Sequence, residues 1–151
     1  MPGPTGQASE VDVVTIDLHL RYMHSLGALQ PYFKGLQAGR AMATRCPHCK
    51  RTWFPPRLVC PHDHADAEWT PLTGYGRVVS VTTGNSQLPL SNTTAEYTFA
   101  LIALDGADNV AFGRIVGEAI ALEPGCRVRL APAPTPGLHP AQAACFVPDE
   151  D

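Results

Sequence analysis

The sequence has few charged side chains and no hydrophobic run long enough to cross a bilayer. Charged residues make up 17% of its 151 residues and hydrophobic residues 44%, which is not the composition of a disordered chain. No apolar run reaches the roughly 18 residues of a transmembrane helix. The opening MPGPTGQASE also lacks the basic and apolar regions of a signal peptide. These absences predict a folded, cytoplasmic protein that makes no contact with a membrane.

Acidic residues are absent from the middle of the first half of the chain. Residues 18–60 contain seven of the eleven Lys and Arg residues and no Asp or Glu, although the net charge of the whole chain is −3. A basic block of this kind suits phosphate groups or an acidic partner surface, and it is equally typical of a solvated helix face.

Regular secondary structure is predicted in short pieces, because 13 Gly and 15 Pro are spread along the chain without a period. Residues 1–10 are predicted to be a mobile tail, and the alternation in 11–18 predicts a short strand. Apolar residues at helical spacing predict a helix from Leu26 to Leu36, which Gly39 terminates. Residues 40–45 then alternate as a short strand that leads into the first cysteine pair.

The second half of the chain reads as a small β-barrel. Asp105-Gly106 and Asp108-Asn109 predict a hairpin turn, and residues 131–142, which hold four Pro, predict an extended loop. The β-rich runs cover 74–84, 97–105, 109–117, 126–132 and 143–148. Five short strands in this length are typical of an OB-fold. The predicted organisation is mainly β: an N-terminal extension (1–25), a helix and a cysteine-bearing module (26–72), and a five-stranded OB-fold barrel (73–148).

Three of the five cysteines lie within fifteen residues and predict a metal site. Cys46 and Cys49 form a C-x2-C knuckle, and Cys60 opens a second one. Structural zinc takes four tetrahedral ligands, which such knuckles supply in pairs. The alternative is that three reduced cysteines only pack together. Without a fourth thiolate the site suits structural zinc better than iron redox chemistry.

Two residues compete for the fourth ligand position. Asp63 stands where a fourth Cys would complete the second C-x2-C pair, whereas His64 is chemically the more usual zinc ligand. His62 is a weaker candidate. The sequence leaves Asp63 and His64 both open.

Several motifs recur together in a known family. In order they are YFKGLQAGR, RCPHC, FPPRLVC, WTPLTGYGRVVSVT and FALIALDGADN. From about Leu26 to Ala131 the chain resembles the acyl-CoA-associated OB-fold proteins that carry an N-terminal helix and a rubredoxin-like zinc ribbon. It departs from their pattern at Asp63, where the family usually has Cys, and by its longer N-terminus.

The resemblance implies a non-catalytic subunit of a hetero-oligomer with a thiolase-like enzyme, such as a thiolase, side-chain aldolase or acyltransferase. Such a subunit helps to accommodate the acyl-CoA thioester of its partner. The segment Trp53-Phe54-Pro55-Pro56-Arg57 combines residue types that are enriched at interfaces. Arg57 is therefore a candidate contact for the partner or for CoA phosphates, and the alternative for Trp53 and Phe54 is that they cover the ribbon core.

Other chemistry has little support in the sequence. It contains no G-x-S-x-G, Walker A or H-E-x-x-H motif, and no catalytic residue is predicted. Zinc ribbons and OB-folds also bind nucleic acid, which is the alternative function. Residues 74–131, however, hold four Arg against five acidic residues, which is a poor electrostatic match for a polyanion.

Overall fold

The computed structural model describes residues 12–89, 91–117, 121–133 and 139–149. Its elements are a 3₁₀ turn (Gly27–Leu29), helices α1 (Gln30–Gln37) and α2 (Pro140–Ala143), and strands β1 (Ala41–Arg45), β2 (Thr52–Trp53), β3 (Glu68–Leu72), β4 (Tyr75–Gln87), β5 (Thr94–Leu104), β6 (Val110–Ile115), β7 (Arg127–Ala131) and β8 (Cys145–Pro148). The predicted fold class, an N-terminal helix and ribbon followed by a five-stranded barrel, is confirmed.

Helix α1 forms where the sequence places the signals for its start and stop. Pro31 lies in its first turn, where its missing N–H costs no hydrogen bond. Tyr32 and Leu36 are buried on one face, as helical spacing requires. Just beyond the end of the helix, Gly39 has a φ of 67°, a conformation that glycine adopts without steric cost.

The ribbon is a three-stranded antiparallel sheet in the order β2-β1-β3. Strand β1 is central, with Thr44 opposite Trp53 on one side and opposite Trp69 on the other. Alternation in β1 points Ala41 and Ala43 into the core. The sheet therefore holds the two cysteine-bearing turns at the ends of paired strands.

The barrel closes in the order β4-β5-β6-β8-β7, and β7 returns to pair with β4. Strands β6 and β8 are parallel, and the other pairs are antiparallel. Gly113 on β6 lies so close to Phe146 that an added Cβ would stand 2.4 Å from its ring. Glycine is needed there because the closed barrel leaves no room for a side chain.

One hydrophobic core runs through the helix, the ribbon and the barrel. It includes Leu36 of α1, Phe54 of the ribbon, and Ile102, Val128 and Phe146 of the barrel, each at most 1% exposed. A further link joins the β5–β6 turn to the ribbon: the carboxylate of Asp108 accepts from Thr52 N–H at 2.7 Å, and Asp108 N–H donates to Thr52 C=O at 2.8 Å. The boundaries predicted between the units, at residues 25 and 72, stay a prediction.

Two expectations of local structure are wrong. Residues 12–26 carry no strand, because a strand needs a neighbour for its backbone N–H and C=O groups and the described chain provides none. The predicted loop over 131–142 contains the start and most of helix α2. The predicted tail over 1–10 lies outside the described residues.

Candidate metal centre

The first cysteine knuckle is a tight turn between β1 and β2. Lys50 N–H donates to Cys46 C=O at 3.1 Å, and Cys46 N–H donates to Arg51 C=O at 2.9 Å. Lys50 closes the turn with a φ of 63°, a conformation that is uncommon outside glycine. The turn leaves Cys46 buried and Cys49 exposed.

The second knuckle repeats this geometry fourteen residues later. His64 N–H donates to Cys60 C=O at 3.0 Å, Cys60 N–H donates to Ala65 C=O at 2.9 Å, and His64 has a φ of 58°. Cys60 therefore corresponds to Cys46, and His64 corresponds to Lys50. The position equivalent to Cys49 is filled by Asp63.

The two knuckles bring four potential metal ligands together. One ligand atom from each of Cys46, Cys49, Cys60 and Asp63 lies within 4.8 Å of the other three. The Asp63 carboxylate oxygens are 3.2 and 3.4 Å from Cys46 Sγ, and Cys49 Sγ is 3.6 Å from Cys60 Sγ. In each knuckle the first ligand is buried and the second is exposed, so the cluster lies at the edge of the ribbon.

The spacing and the donor types fit zinc. A tetrahedral ion with bonds of about 2.0–2.3 Å places its ligand atoms roughly 3.3–3.8 Å apart. The closest contacts between the knuckles lie near that range. Three thiolates and a carboxylate also make a donor set that zinc accepts and that the oxygen-preferring ions Ca²⁺ and Mg²⁺ do not.

The histidines of the second knuckle have other positions. The gathered ligand group, as far as the structure describes the chain, does not include His64, whose backbone has the role of Lys50. His62 stacks on Trp53 with ring centroids 5.9 Å apart, and its Nε2 lies 2.9 Å from Arg51 Nη1. The geometry therefore favours Asp63 among the candidates that the sequence left open.

The Asp63 carboxylate is held in its charged form by its surroundings. Ala65 N–H donates to Oδ1 at 3.1 Å, and this bond, followed by one from the Cys46 thiol, lowers the pKa of Asp63 below its ordinary value. A carboxyl group with a lowered pKa is deprotonated at neutral pH. Asp63 is thus ready to act as a ligand without first losing a proton.

The aromatic segment beside the knuckles is largely buried. Trp53 is 8% and Phe54 1% exposed, which favours the alternative that these two rings cover the ribbon core. Arg57 is exposed, and its guanidinium lies 5.2 Å from the centroid of the Trp53 ring. The Thr44 hydroxyl fixes its backbone, accepting from Arg57 N–H at 2.9 Å and donating to Arg57 C=O at 2.8 Å.

The barrel carries an exposed apolar patch that the sequence did not predict. Leu101 on β5 pairs with Phe112 on β6, and both point outward, 39% and 51% exposed. Phe112 stacks on Phe99 with centroids 5.3 Å apart. A shallow depression lined by Ser80, Val81, Thr82, Phe99, Ala100, Leu101 and Phe112 adjoins them. The signal was present at the start of β6, where Val110 to Gly113 place only apolar or small side chains on both faces of the strand.

Comparisons with known proteins agree with this architecture. The family model described as "ChsH2, rubredoxin-like zinc ribbon domain" matches residues 33–69, the stretch that contains both knuckles. No curated protein matches the chain. In the part of the chain that the structure describes, no helix has the length and apolar character needed to span a membrane.

Two solved structures share the fold. A chain of the "Ltp2-ChsH2(DUF35) aldolase" is 23% identical, with a TM-score of 0.60 over 84% of this chain and 98% of that one. A DUF35 protein of unknown function from Sulfolobus solfataricus is 18% identical, with a TM-score of 0.58 over 85% of this chain and 90% of that one. The chain accordingly joins a segment that matches the model of the ChsH2 rubredoxin-like zinc ribbon to a five-stranded barrel, and it shares its fold with these two structures.

Proposed function

We propose that this chain is a non-catalytic, cytoplasmic subunit that binds a thiolase-like enzyme and helps to accommodate its acyl-CoA substrate. The observation that carries the proposal is the ribbon-and-barrel architecture, shared over 84% of the chain with a chain of an aldolase made of Ltp2 and ChsH2. The match of residues 33–69 to the model of the ChsH2 ribbon supports the same role. From that relative we carry over association with an enzyme, and the chemistry stays with the enzyme.

The metal in this proposal is a structural zinc ion held by Cys46, Cys49, Cys60 and Asp63. When bound, it supplies a cross-link between the two knuckles, and in small ribbons such a link is a large part of the folding free energy. The chain's own contribution is to hold the four donors together through the paired turns. Trp53, Arg57 and His62 cover the same end of the ribbon.

The enzyme is proposed to contact the patch formed by Phe99, Leu101 and Phe112. The outer face of an antiparallel sheet is ordinarily polar, and an exposed apolar cluster on it is typical of an interaction surface. The stacked rings of Phe99 and Phe112 offer a flat area of low conformational entropy. Such rigid aromatic groups are suited to an interface because little freedom is lost when they are buried.

CoA phosphates are proposed to meet the basic surface of the ribbon. Lys34, Arg40, Arg45, Lys50, Arg51 and Arg57 are all exposed. Arg57 is held in place, since Thr44 fixes its backbone and Trp53 supports its guanidinium from one side. A guanidinium held in this way is able to donate two hydrogen bonds to one phosphate.

Co-purification with the thiolase-like enzyme encoded nearest to this chain tests the proposal. The wild-type chain is expected to form a stable complex, and Phe112→Ser is expected to weaken it by about tenfold or more, because a half-exposed ring contributes on the order of 1–2 kcal/mol when it is fully buried. Tyr75→Ser is the matched control, since Tyr75 is an exposed aromatic residue of the same barrel. It lies on β4 five positions before Ser80, outside the residues that line the depression beside the patch.

Failure of the wild-type chain to bind thiolase-like enzymes would overturn the proposal. Salt-dependent binding of a single-stranded oligonucleotide in the same preparation would instead support the nucleic-acid alternative. Equal binding by Phe112→Ser and Tyr75→Ser would leave the subunit role standing and remove the barrel patch from the interface.

A further inference from the structure

The segment before the 3₁₀ turn carries apolar side chains that nothing in the described chain covers. Residues 12–24 form no helix or strand. Their large apolar side chains are 72–89% exposed: Val13, Val14, Ile16, Leu18, Leu20, Tyr22 and Met23. Among the other large apolar residues that the structure describes, the most exposed is Phe112 at 51%. A concentration of this kind marks a surface that is buried in another assembly.

The order of these residues has the period of a β-strand. From Val14 to Tyr22 every even position is apolar, and the odd positions are Thr15, Asp17, His19 and Arg21. Successive side chains of a strand point to opposite faces, whereas a helix would scatter this pattern around its axis. When it is extended, the segment 14–22, which we call the arm, therefore has one apolar face and one polar face.

The backbone of the arm also lacks a partner within the part of the chain that the structure describes. No hydrogen bond joins the backbone of residues 12–23 to any element described there. A strand buries its apolar face favourably only when its N–H and C=O groups are paired as well. The arm thus combines two unmet requirements, an apolar surface to lie on and a sheet edge to pair with.

Charge argues that another protein, and not a second copy, meets these requirements. Residues 18–60 hold seven cations and no acidic residue, and each of those cations is exposed. The polar face of the arm itself carries both Asp17 and Arg21, so the repulsion comes from the segment that follows it: two copies whose arms brought these basic segments together would be opposed by like charges. The complementary surface is an apolar strip bordered by acidic side chains.

We propose that the arm docks as an added β-strand on the partner enzyme. Ile16, Leu18 and Leu20 lie on an apolar strip beside an exposed sheet edge of the enzyme, and acidic side chains of the enzyme face Arg21 and the basic segment that follows. Strand addition of this kind draws affinity from the main-chain hydrogen bonds and specificity from the alternate side chains. The inference rests on the proposed function, because it takes the thiolase-like enzyme as the partner.

A pair of double variants on the two faces of the arm provides the test. Leu18→Ser with Leu20→Ser removes two side chains from the apolar face. Thr15→Ser with His19→Ser replaces the same number of side chains on the opposite face. Because all four residues are exposed, both variants are expected to melt at the wild-type temperature. Binding to the co-expressed thiolase-like enzyme is measured by titration, and sedimentation of each chain alone reports its oligomeric state.

The first variant is expected to bind the enzyme at least about a hundredfold more weakly, since two buried leucines contribute several kcal/mol, and the second is expected to bind within about threefold of wild type. Equal binding by the two variants would overturn the proposed docking of the arm while leaving the subunit role intact. A wild-type chain that does not bind the enzyme would overturn both. A wild-type dimer that the leucine variant alone dissociates would assign the arm to a second copy and contradict the inference.

Discussion

The side chain of Asn109 satisfies both backbone polar groups of Phe54. Its Oδ1 accepts from Phe54 N–H at 2.9 Å, and its Nδ2 donates to Phe54 C=O at 3.1 Å. Asn109 thereby takes the place of a neighbouring strand at the point where β2 ends. The ring of Phe54 is buried in the core shared by helix, ribbon and barrel, so this pair ties the metal-bearing turns to the barrel.

Replacing Asn109 with Ala should destabilise the whole chain. The change leaves the backbone N–H and C=O of Phe54, which is 1% exposed, without these partners. Such a loss costs about 1–3 kcal/mol. Urea unfolding is expected to show a lower midpoint with a single transition, because ribbon and barrel share one core. Asn92→Ala, at an exposed position between β4 and β5, is the control and should leave the midpoint unchanged. A separate early transition of the ribbon would contradict this coupling.

Much of the fold could be predicted because its signals are local. The helix over Leu26 to Leu36, the turn at Asp108-Asn109 and the five barrel strands each follow from spacing or turn chemistry within a few residues, and all are observed. Strands β2 and β3 were not predicted. Strand β2 is only two residues long, and β3 forms through pairing with β1, with Glu68 opposite Arg45, a long-range interaction that no short window of sequence contains.

The sequence was less informative where contacts between different elements of the fold decide the outcome. The alternation over 11–18 is real, but a strand also needs a partner, and none is found for its described part. The choice between Asp63 and His64 depended on the hydrogen bonds that make the two knuckles equivalent. The burial of Phe54 depended on the helix and barrel that pack over it, whereas Trp53 is covered by His62 and Arg57 of the ribbon itself.

The zinc assignment predicts one zinc ion per chain in protein purified without chelators. Cys49→Ser should lose the ion and strongly destabilise the ribbon, because metal binding and local folding are coupled. Asp63→Ala should release zinc to a chelator faster than wild type, and Asp63→Cys, which completes four thiolates, should release it more slowly. His64→Asn is the control, since Asn tolerates the left-handed backbone at this position.

Elemental analysis and the rate of zinc release to a colorimetric chelator check these outcomes. Absence of zinc from purified wild-type protein would contradict the zinc assignment. Faster release from His64→Asn than from Asp63→Ala would transfer the fourth ligand to His64.

Charge reversal at Arg57 should weaken the complex or its CoA affinity without unfolding the chain. The guanidinium is exposed and contacts Trp53 from outside, so the stability cost is on the order of 1 kcal/mol or less. Arg57→Glu is expected to reduce affinity for the enzyme or for CoA by about tenfold or more, as measured by calorimetry. Arg40→Glu makes the same change at another exposed position and should have a smaller effect. Equal affinities for the two variants would remove Arg57 from the proposed surface.

Burial of Tyr32 predicts a loss of stability at alkaline pH. Burial raises the pKa of the Tyr32 phenol from 10.0 to about 12, which means that the folded chain keeps this proton in a range where the unfolded chain releases it. The contribution is complete below about pH 10 and is lost as the pH rises toward 12. The free energy of unfolding should fall less steeply over this range in Tyr32→Phe than in wild type. Parallel pH profiles for the two proteins would contradict this.

Acyl-CoA turnover by the separated and recombined proteins tests the subunit assignment most directly. The purified chain is expected to turn over no acyl-CoA, whereas the thiolase-like enzyme should be more active, or bind its thioester more tightly, when the wild-type chain is added. The gain should be lost with the Leu18→Ser/Leu20→Ser variant and kept with Thr15→Ser/His19→Ser. Steady turnover by the purified chain alone, abolished by a substitution within it, would contradict a non-catalytic role.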